Sequence, residues 1–159
     1  MDAAFGNEDG DGQFGDDDWA HALGGRHLIL DVDGDIVSHA SVVERSIEIG
    51  GQRFRTGYVE AVATAPGSEG RGYGSAVMTA ANEHIRSTFE LGVLGTGRNG
   101  FYERLGWETW RGKAFVRTPD GQVRTPEEEG YILVLRTPAS SPFELTEPIT
   151  GDWRPGDVW

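Results

Sequence analysis

Glu69-Gly70-Arg71-Gly72-Tyr73-Gly74-Ser75 lies between a strand-like run and the strongest helical pattern in the chain. The run before it is Tyr58 to Thr64, stopped by Ala65-Pro66-Gly67. The pattern after it extends from Gly72 to about Phe89, with Val77, Ala80, Ala81, His84, Ile85 and Thr88 at three- and four-residue steps. Glycines at alternate positions leave backbone N–H groups with no Cβ to block an approaching anion. A helix N-terminus adds its positive dipole end and its unpaired donors. Together these features predict a cradle for a pyrophosphate. No Gly-Lys-Ser/Thr follows, so the stretch is not a P-loop, and it lacks the G-x-G-x-x-G spacing of a dinucleotide fold. The glycines alone leave open a plain strand-to-helix turn.

Working outward, strand signals fill the N-terminal side. His27 to Val32 is bounded by the tight-turn pair Asp33-Gly34, and Ile36 to Val43 reads as its hairpin partner. Ser46 to Ile49 and Gln52 to Arg55 flank a Gly50-Gly51 turn. On the C-terminal side, Leu91 to Leu94 is a short strand, and Asn99 to Leu105 a short helix closed by Gly106. Trp107 to Trp110, Lys113 to Val116 and Ile132 to Leu135 read as strands. A helix is expected from Asp17 to Leu23, ended by Gly24-Gly25. The tail from Pro138 to Trp159 is rich in Pro, Ser, Thr and acids and carries two tryptophans, so it is expected to pack onto the rest. Strands that precede, flank and follow few helices predict an α/β (α+β) fold, a mixed sheet with helices on its faces.

The chain of 159 residues fits one domain, residues 1–159. Its 14 basic and 26 acidic residues give a net charge of −12. Such a chain repels nucleic-acid phosphates and anionic membranes and attracts cations. The acids are dense in the first eighteen residues, which hold no Lys or Arg and read as an acidic arm over residues 1–16. Cysteine is absent, which excludes disulfides and thiolate catalysis. His21, His27, His39 and His84 show no metal-ligand spacing, so no metal is expected. No apolar run approaches the roughly 18 residues of a membrane span and no signal peptide is visible, so a cytoplasmic location is expected.

Val59 to Pro66, the Gly70–Ala76 loop and Asn99-Gly100-Phe101-Tyr102-Glu103-Arg104-Leu105-Gly106-Trp107 together resemble the GNAT family of acetyl-CoA-dependent N-acetyltransferases. Glu69 stands where that family usually carries Gln or Arg. Asp18-Trp19-Ala20-His21, Gly57 to Ala63, Arg124 to Gly130 and the run Asp152-Trp153-Arg154-Pro155-Gly156-Asp157-Val158-Trp159 are similar to the aminoglycoside 2′-N-acetyltransferases within it. That family begins with a further strand and a longer first helix, and Met1 falls where the helix belongs. Gly95-Thr96-Gly97-Arg98 replaces a longer serine-containing stretch, so a serine contact there does not carry over.

The resemblance implies a GNAT fold, a mixed, mostly antiparallel central sheet splayed at the acetyl-CoA site, with helices on both faces. It implies acetyl transfer to the 2′-amine of aminoglycosides, hence antibiotic resistance, by direct attack in a ternary complex. Acetyl-CoA would lie against Val62, Ala63, Gly70, Arg71, Gly72, Tyr73, Gly74, Ser75 and Asn99. Glu60 would take up the amine proton, or else pair with Arg53 or Arg55. Tyr102 would protonate the leaving thiolate while its neighbour Phe101 packs in the core. Asp18, Glu60, Glu128, Asp152, Asp157 and Trp159 would bind the cationic drug, Trp159 through its ring and a terminal carboxylate. Asp152 and Asp11 are weaker candidates, and Trp153 is expected to anchor the tail. A homodimer is implied as well. Two other readings stay open: acetylation of another cationic amine (kasugamycin, a polyamine, a peptide N-terminus), or a non-catalytic module binding acyl-CoA or cationic ligands.

Overall fold

The computed structural model describes residues 24–159. The expected helix at Asp17–Leu23 and the residues Asp11 and Asp18 lie outside that range. Within it the strands are β1 (Arg26–Val32), β2 (Asp35–Ile49), β3 (Gln52–Thr64), β4 (Leu91–Gly95), β5 (Glu108–Thr109), β6 (Ala114–Thr118), β7 (Gly121–Arg124), β8 (Ile132–Arg136) and β9 (Ile149–Asp152). The α-helices are α1 (Tyr73–Thr88) and α2 (Asn99–Glu103), with a 3-10 turn at Pro126–Glu128.

The strands form one mixed sheet in the order β5-β8-β4-β3-β2-β9-β6-β7, with β1 beside the first half of β2. Pairing is antiparallel except for β3 with β4 and β6 with β9. Four expected short strands merge into two long ones. Glu44-Arg45-Ser46 and Thr56-Gly57 contain no turn-forming pair, so β2 and β3 run straight through them. At Gly50 and Gly51 both φ values are positive, 56° and 85°, and the chain turns there. Exposed β7 gave no apolar signal, and β9 is hidden in a tail read as irregular.

Each sheet face has its own core. On one face α1 and α2 bury Val77, Met78, Ala81, Ile85 and Tyr102, with Trp107 of the following turn, against Val42, Val59 and Leu133. On the other, the tail brings Phe143, Ile149 and Trp159 onto Ile47, Tyr58, Val93 and Trp110. Both described α-helices thus share one face, and tail segments cover much of the other. The tail packs as expected, but its anchor is Trp159, 5% exposed. Trp153, expected to anchor, is 57% exposed.

Two irregularities in β3 shape the site. It pairs with β4 only from Thr56↔Leu91 to Tyr58↔Val93, and beyond Tyr58 the two parallel strands no longer pair with each other. Three residues on, the register to β2 steps from Ser41↔Glu60 to His39↔Ala63. Ala61 and Val62 therefore face the single residue Ala40, which makes a β-bulge. Ala61 has φ 51°, the left-handed region that costs a non-glycine residue about 1 kcal/mol.

Candidate active site

The glycine loop lies at the α1 end of this splay. Gly70 and Gly72 have φ of 74° and 80°, and a Cβ built on either would meet no atom within 4 Å. Gly72 caps α1 without a side-chain hydrogen bond, and no acid occupies the first turn. Among the described residues no side chain caps the first N–H groups of α1, which carry the positive end of its dipole. This is the geometry a diphosphate needs, so the loop fits the nucleotide it was expected to hold. Arg71 is exposed, while Tyr73, Gly74 and Ser75 are half-buried. The acid at Glu69 is directed into its own loop, where Oε2 accepts the Gly67 N–H at 2.8 Å.

Phe101 reaches this loop, with its ring 3.5 Å from where a Gly74 Cβ would stand. Tyr102 is the more buried of the pair and belongs to the helix-side core, edge-on to Phe101 at 4.9 Å and to Trp107 at 6.4 Å. Phe101 packs against the same core, as expected, from its loop side. Asn99, expected at the acetyl-CoA, donates its amide to Thr109 Oγ1 (3.1 Å) and Gly130 O (2.9 Å). It fastens the start of α2 to β5 and to the loop after the 3-10 turn.

On the other side of the splay, carboxylates gather. Tyr58 and Glu60 stand two residues apart on β3 and so share a face. Glu60 pairs with Arg154 of the tail, Oε1 to Nη1 2.6 Å, with side chains only 11% and 14% exposed. It does not pair with Arg53 or Arg55. Arg55 binds Glu44 and lies over Phe89, and Arg53 donates to Ser46. Arg154 also lies over the Tyr58 ring (5.1 Å) and donates to Asp157 O (2.9 Å). Arg45 covers the same ring at 4.5 Å and donates to Val158 O (2.8 Å) and Asp152 O (3.1 Å). Two arginines thus tie the tail to β2 and β3.

Trp159 donates Nε1–H to Thr125 Oγ1 (3.2 Å), and its backbone N–H bonds Asp157 Oδ1 (3.2 Å). Thr125 opens the 3-10 turn, so this link carries Glu128 toward Asp157. Burial, then Asp157 and Glu127, hold the Glu128 carboxyl above its ordinary range. Of the acidic triplet, Glu127 is exposed and Glu129 grips Arg124 bidentately at 2.9 and 3.0 Å. Glu128 is therefore the member left for a ligand.

Asp152 does not join this cluster. Its Oδ1 accepts from Arg117 (3.1 Å), which also binds Glu48. Strand alternation puts Glu48 on the sheet face opposite Arg45 and Tyr58. The described members of the expected drug-binding set therefore separate into Glu60, Asp157 and Trp159 near Tyr58, with Glu128 beside Asp157, and Asp152 behind the sheet.

The acetyltransferase (GNAT) domain model matches residues 1–110. An aminoglycoside 2′-N-acetyltransferase of Mycolicibacterium fortuitum is 41% identical over 153 residues, 94% of this chain and 78% of that one. The chain belongs to the GNAT aminoglycoside 2′-N-acetyltransferase family. Among solved structures, a GNAT family acetyltransferase from Brucella melitensis in complex with acetyl-CoA superposes with a TM-score of 0.52 at 18% identity. It covers 77% of this chain and 63% of its own. A GNAT family N-acetyltransferase from Escherichia coli in complex with CoA gives 0.52 at 14% identity, covering 79% and 66%. The chain thus spans a little under two thirds of these two structures, which share its fold.

Three residues of the site escaped the sequence reading. Tyr58 carried a usable signal, since it shares the Glu60 face at a spacing of two. Arg154 lies inside the Asp152–Trp159 run, but nothing in that run marks it as the partner of Glu60. Arg45 donates to tail carbonyls 113 and 107 residues away, and no local pattern points to it.

Proposed function

We propose that this GNAT enzyme transfers acetyl from acetyl-CoA to the 2′-amine of aminoglycosides by direct attack in a ternary complex. The observation that carries the reading is the placement of an uncapped glycine-rich helix start and a carboxylate cluster on either side of the β3–β4 splay. The first matches a diphosphate and the second a polycation. The name of the Mycolicibacterium fortuitum relative supports the substrate, and the acetyl-CoA and CoA complexes of the solved relatives support the donor.

In this reading the amides of Tyr73, Gly74 and Ser75 hold the diphosphate. Val62 in the bulge, or Ala63 just past it, offers an N–H to the thioester oxygen and stabilises the charge that develops there. Asp157 and Glu128 hold ammonium groups, and Trp159 lines the same side. Glu60 accepts the proton of the attacking amine through bridging water, and Tyr102 donates to the departing thiolate. The protein acts in the cytoplasm as a homodimer, without nucleic acid or membrane; light scattering checks the assembly.

The test is thiol release from acetyl-CoA on adding gentamicin or tobramycin. Release that needs both substrates is the expected result. No release with any 2′-amino aminoglycoside removes the reading. Activity on a plain polyamine or a peptide N-terminus instead would move the enzyme to another amine.

A further inference from the structure

We propose that His39 is a positioning residue of the acetyl-transfer site, whose imidazole holds the bulge that aims the Val62 and Ala63 amides at the thioester. The inference rests on the acetyltransferase reading above.

His39 lies on β2 opposite the bulge and is 8% exposed. Its Nδ1 is 3.0 Å from the Ala61 carbonyl oxygen. A carbonyl only accepts, so Nδ1 bears the hydrogen. In the neutral ring Nε2 is then an acceptor, and it lies 2.8 Å from His27 Nδ1. The chain therefore reads His27 Nδ1–H to His39 Nε2, and His39 Nδ1–H to Ala61 O. The rings stack with centroids 5.1 Å apart, 24° from parallel. His27 fixes the tautomer of His39 by occupying the other nitrogen.

Ala61 is where this matters. It follows Glu60, precedes Val62, and keeps a left-handed backbone that a non-glycine residue holds only when its surroundings impose it. The extra residue of a bulge falls out of the ladder. A side chain from β2 here takes the Ala61 carbonyl, and so fixes the peptide that carries the Val62 N–H and leads on to that of Ala63. Rotation of that peptide would swing the Val62 N–H away from the thioester while leaving the diphosphate loop untouched. A displacement of about 1 Å in a reacting geometry can cost on the order of 100-fold in rate.

Two substitutions on the full chain separate donor from shape. His39→Asn places an amide N–H near the old Nδ1, and His39→Leu fills similar volume with no donor. With an aminoglycoside and acetyl-CoA, His39→Leu should lose at least about tenfold in kcat. CoA affinity by calorimetry should stay within about twofold, because the diphosphate grip is remote from the bulge. His39→Asn should recover most of the turnover. Independently of activity, amide hydrogen exchange at Val62 and Ala63 should speed up in His39→Leu and not in His39→Asn.

Unchanged kcat and exchange in His39→Leu overturn the proposal, as does an equal loss in both variants. If His39→Leu does not fold, His27→Phe replaces it, since His27 is exposed and its loss frees the His39 tautomer. A kcat drop of a few fold with unchanged CoA affinity is then expected, and no drop overturns the proposal. A parent protein that releases no thiol sinks the acetyltransferase reading instead, while the exchange experiment still decides whether His39 holds the bulge.

Discussion

Arg154 of the tail places Nη1 2.6 Å from Oε1 of Glu60 on β3, so the carboxylate at the centre of the site is joined to the segment that closes it. The pair is nearly buried, and removing one partner of such a pair leaves the other charge uncompensated. Glu60→Gln keeps the shape and removes the charge. It should destabilise the fold by about 2 kcal/mol and cut kcat on the order of 100-fold, with little change in the KM for acetyl-CoA. Thermal melts and steady-state thiol release check both. A kcat within a few fold of the parent would take Glu60 out of the reaction and leave it a clasp for the tail.

Tyr58 gives the opposite signature. Its hydroxyl is buried and has no hydrogen-bond partner among the described residues, with burial pushing its pKa far above the ordinary range. An unpaired buried hydroxyl costs stability, so one kept beside a carboxylate cluster points to a partner that arrives with substrate or water. Tyr58→Phe preserves the ring under Arg45 and Arg154. Its melting temperature should be unchanged or higher, by up to about 1 kcal/mol in stability, while kcat/KM for the aminoglycoside falls several fold. A lowered melting temperature would show that the hydroxyl has a structural partner after all.

Local patterns revealed what local forces decide. The Asp33-Gly34 and Gly50-Gly51 turns, the 3.6-residue period of α1 and the glycine loop all read correctly because each depends on neighbours in sequence. The bulge at Ala61 did not, because it arises from a register mismatch between β2 and β3 and an alanine gives no sign of a left-handed backbone. Glu60 was legible from motif resemblance, but its partner was sought on its own hairpin and lies 94 residues away in the tail. Asp152 and Asp157 look alike in the sequence, five residues apart. Strand alternation in β9 directs the first to Arg117 behind the sheet, and the irregular run after β9 brings the second to Glu128.

Trp153 and Trp159 should respond very differently to truncation. The Trp159 ring is buried against β9 and Arg45, and Trp153 is largely in solvent. Trp159→Ala should cost about 3–5 kcal/mol and Trp153→Ala within about 0.5 kcal/mol, read from denaturant melts. Loss of drug binding in Trp159→Ala must therefore be judged on protein shown to be folded. Similar costs at both positions would contradict the packing.

Glu128 links the site to pH. Its carboxyl is raised in the fold, first by burial and then by Asp157 and Glu127, so the folded chain holds the proton more tightly than the unfolded chain does. Ionising it costs stability at neutral pH, and that cost disappears as pH falls below the ordinary carboxylate value of about 4.3. Glu128→Gln should therefore raise the melting temperature at neutral pH, with the gain shrinking in acid, and should weaken aminoglycoside binding. A bound ammonium favours the ionised form, so binding a little above that pH should release a proton, measurable by titration in buffers of differing ionisation enthalpy. Weaker drug binding without any stability gain would mean that Glu128 is not held raised.

The glycine loop can be tested at Gly72, where strain and ligand contact separate. An added Cβ meets no atom within 4 Å in the free protein, but φ is 80°. The cost of Gly72→Ala to folding is then the left-handed backbone alone, about 1 kcal/mol. In the complex the same methyl stands where a diphosphate oxygen must approach the first amides of α1. The affinity for CoA should drop by more than tenfold, about 1.4 kcal/mol, while aminoglycoside binding to the free enzyme is unchanged. Calorimetry with CoA and with drug separately reads the two. An intact CoA affinity would move the diphosphate away from the start of α1, and with it the placement of the thioester beside Glu60.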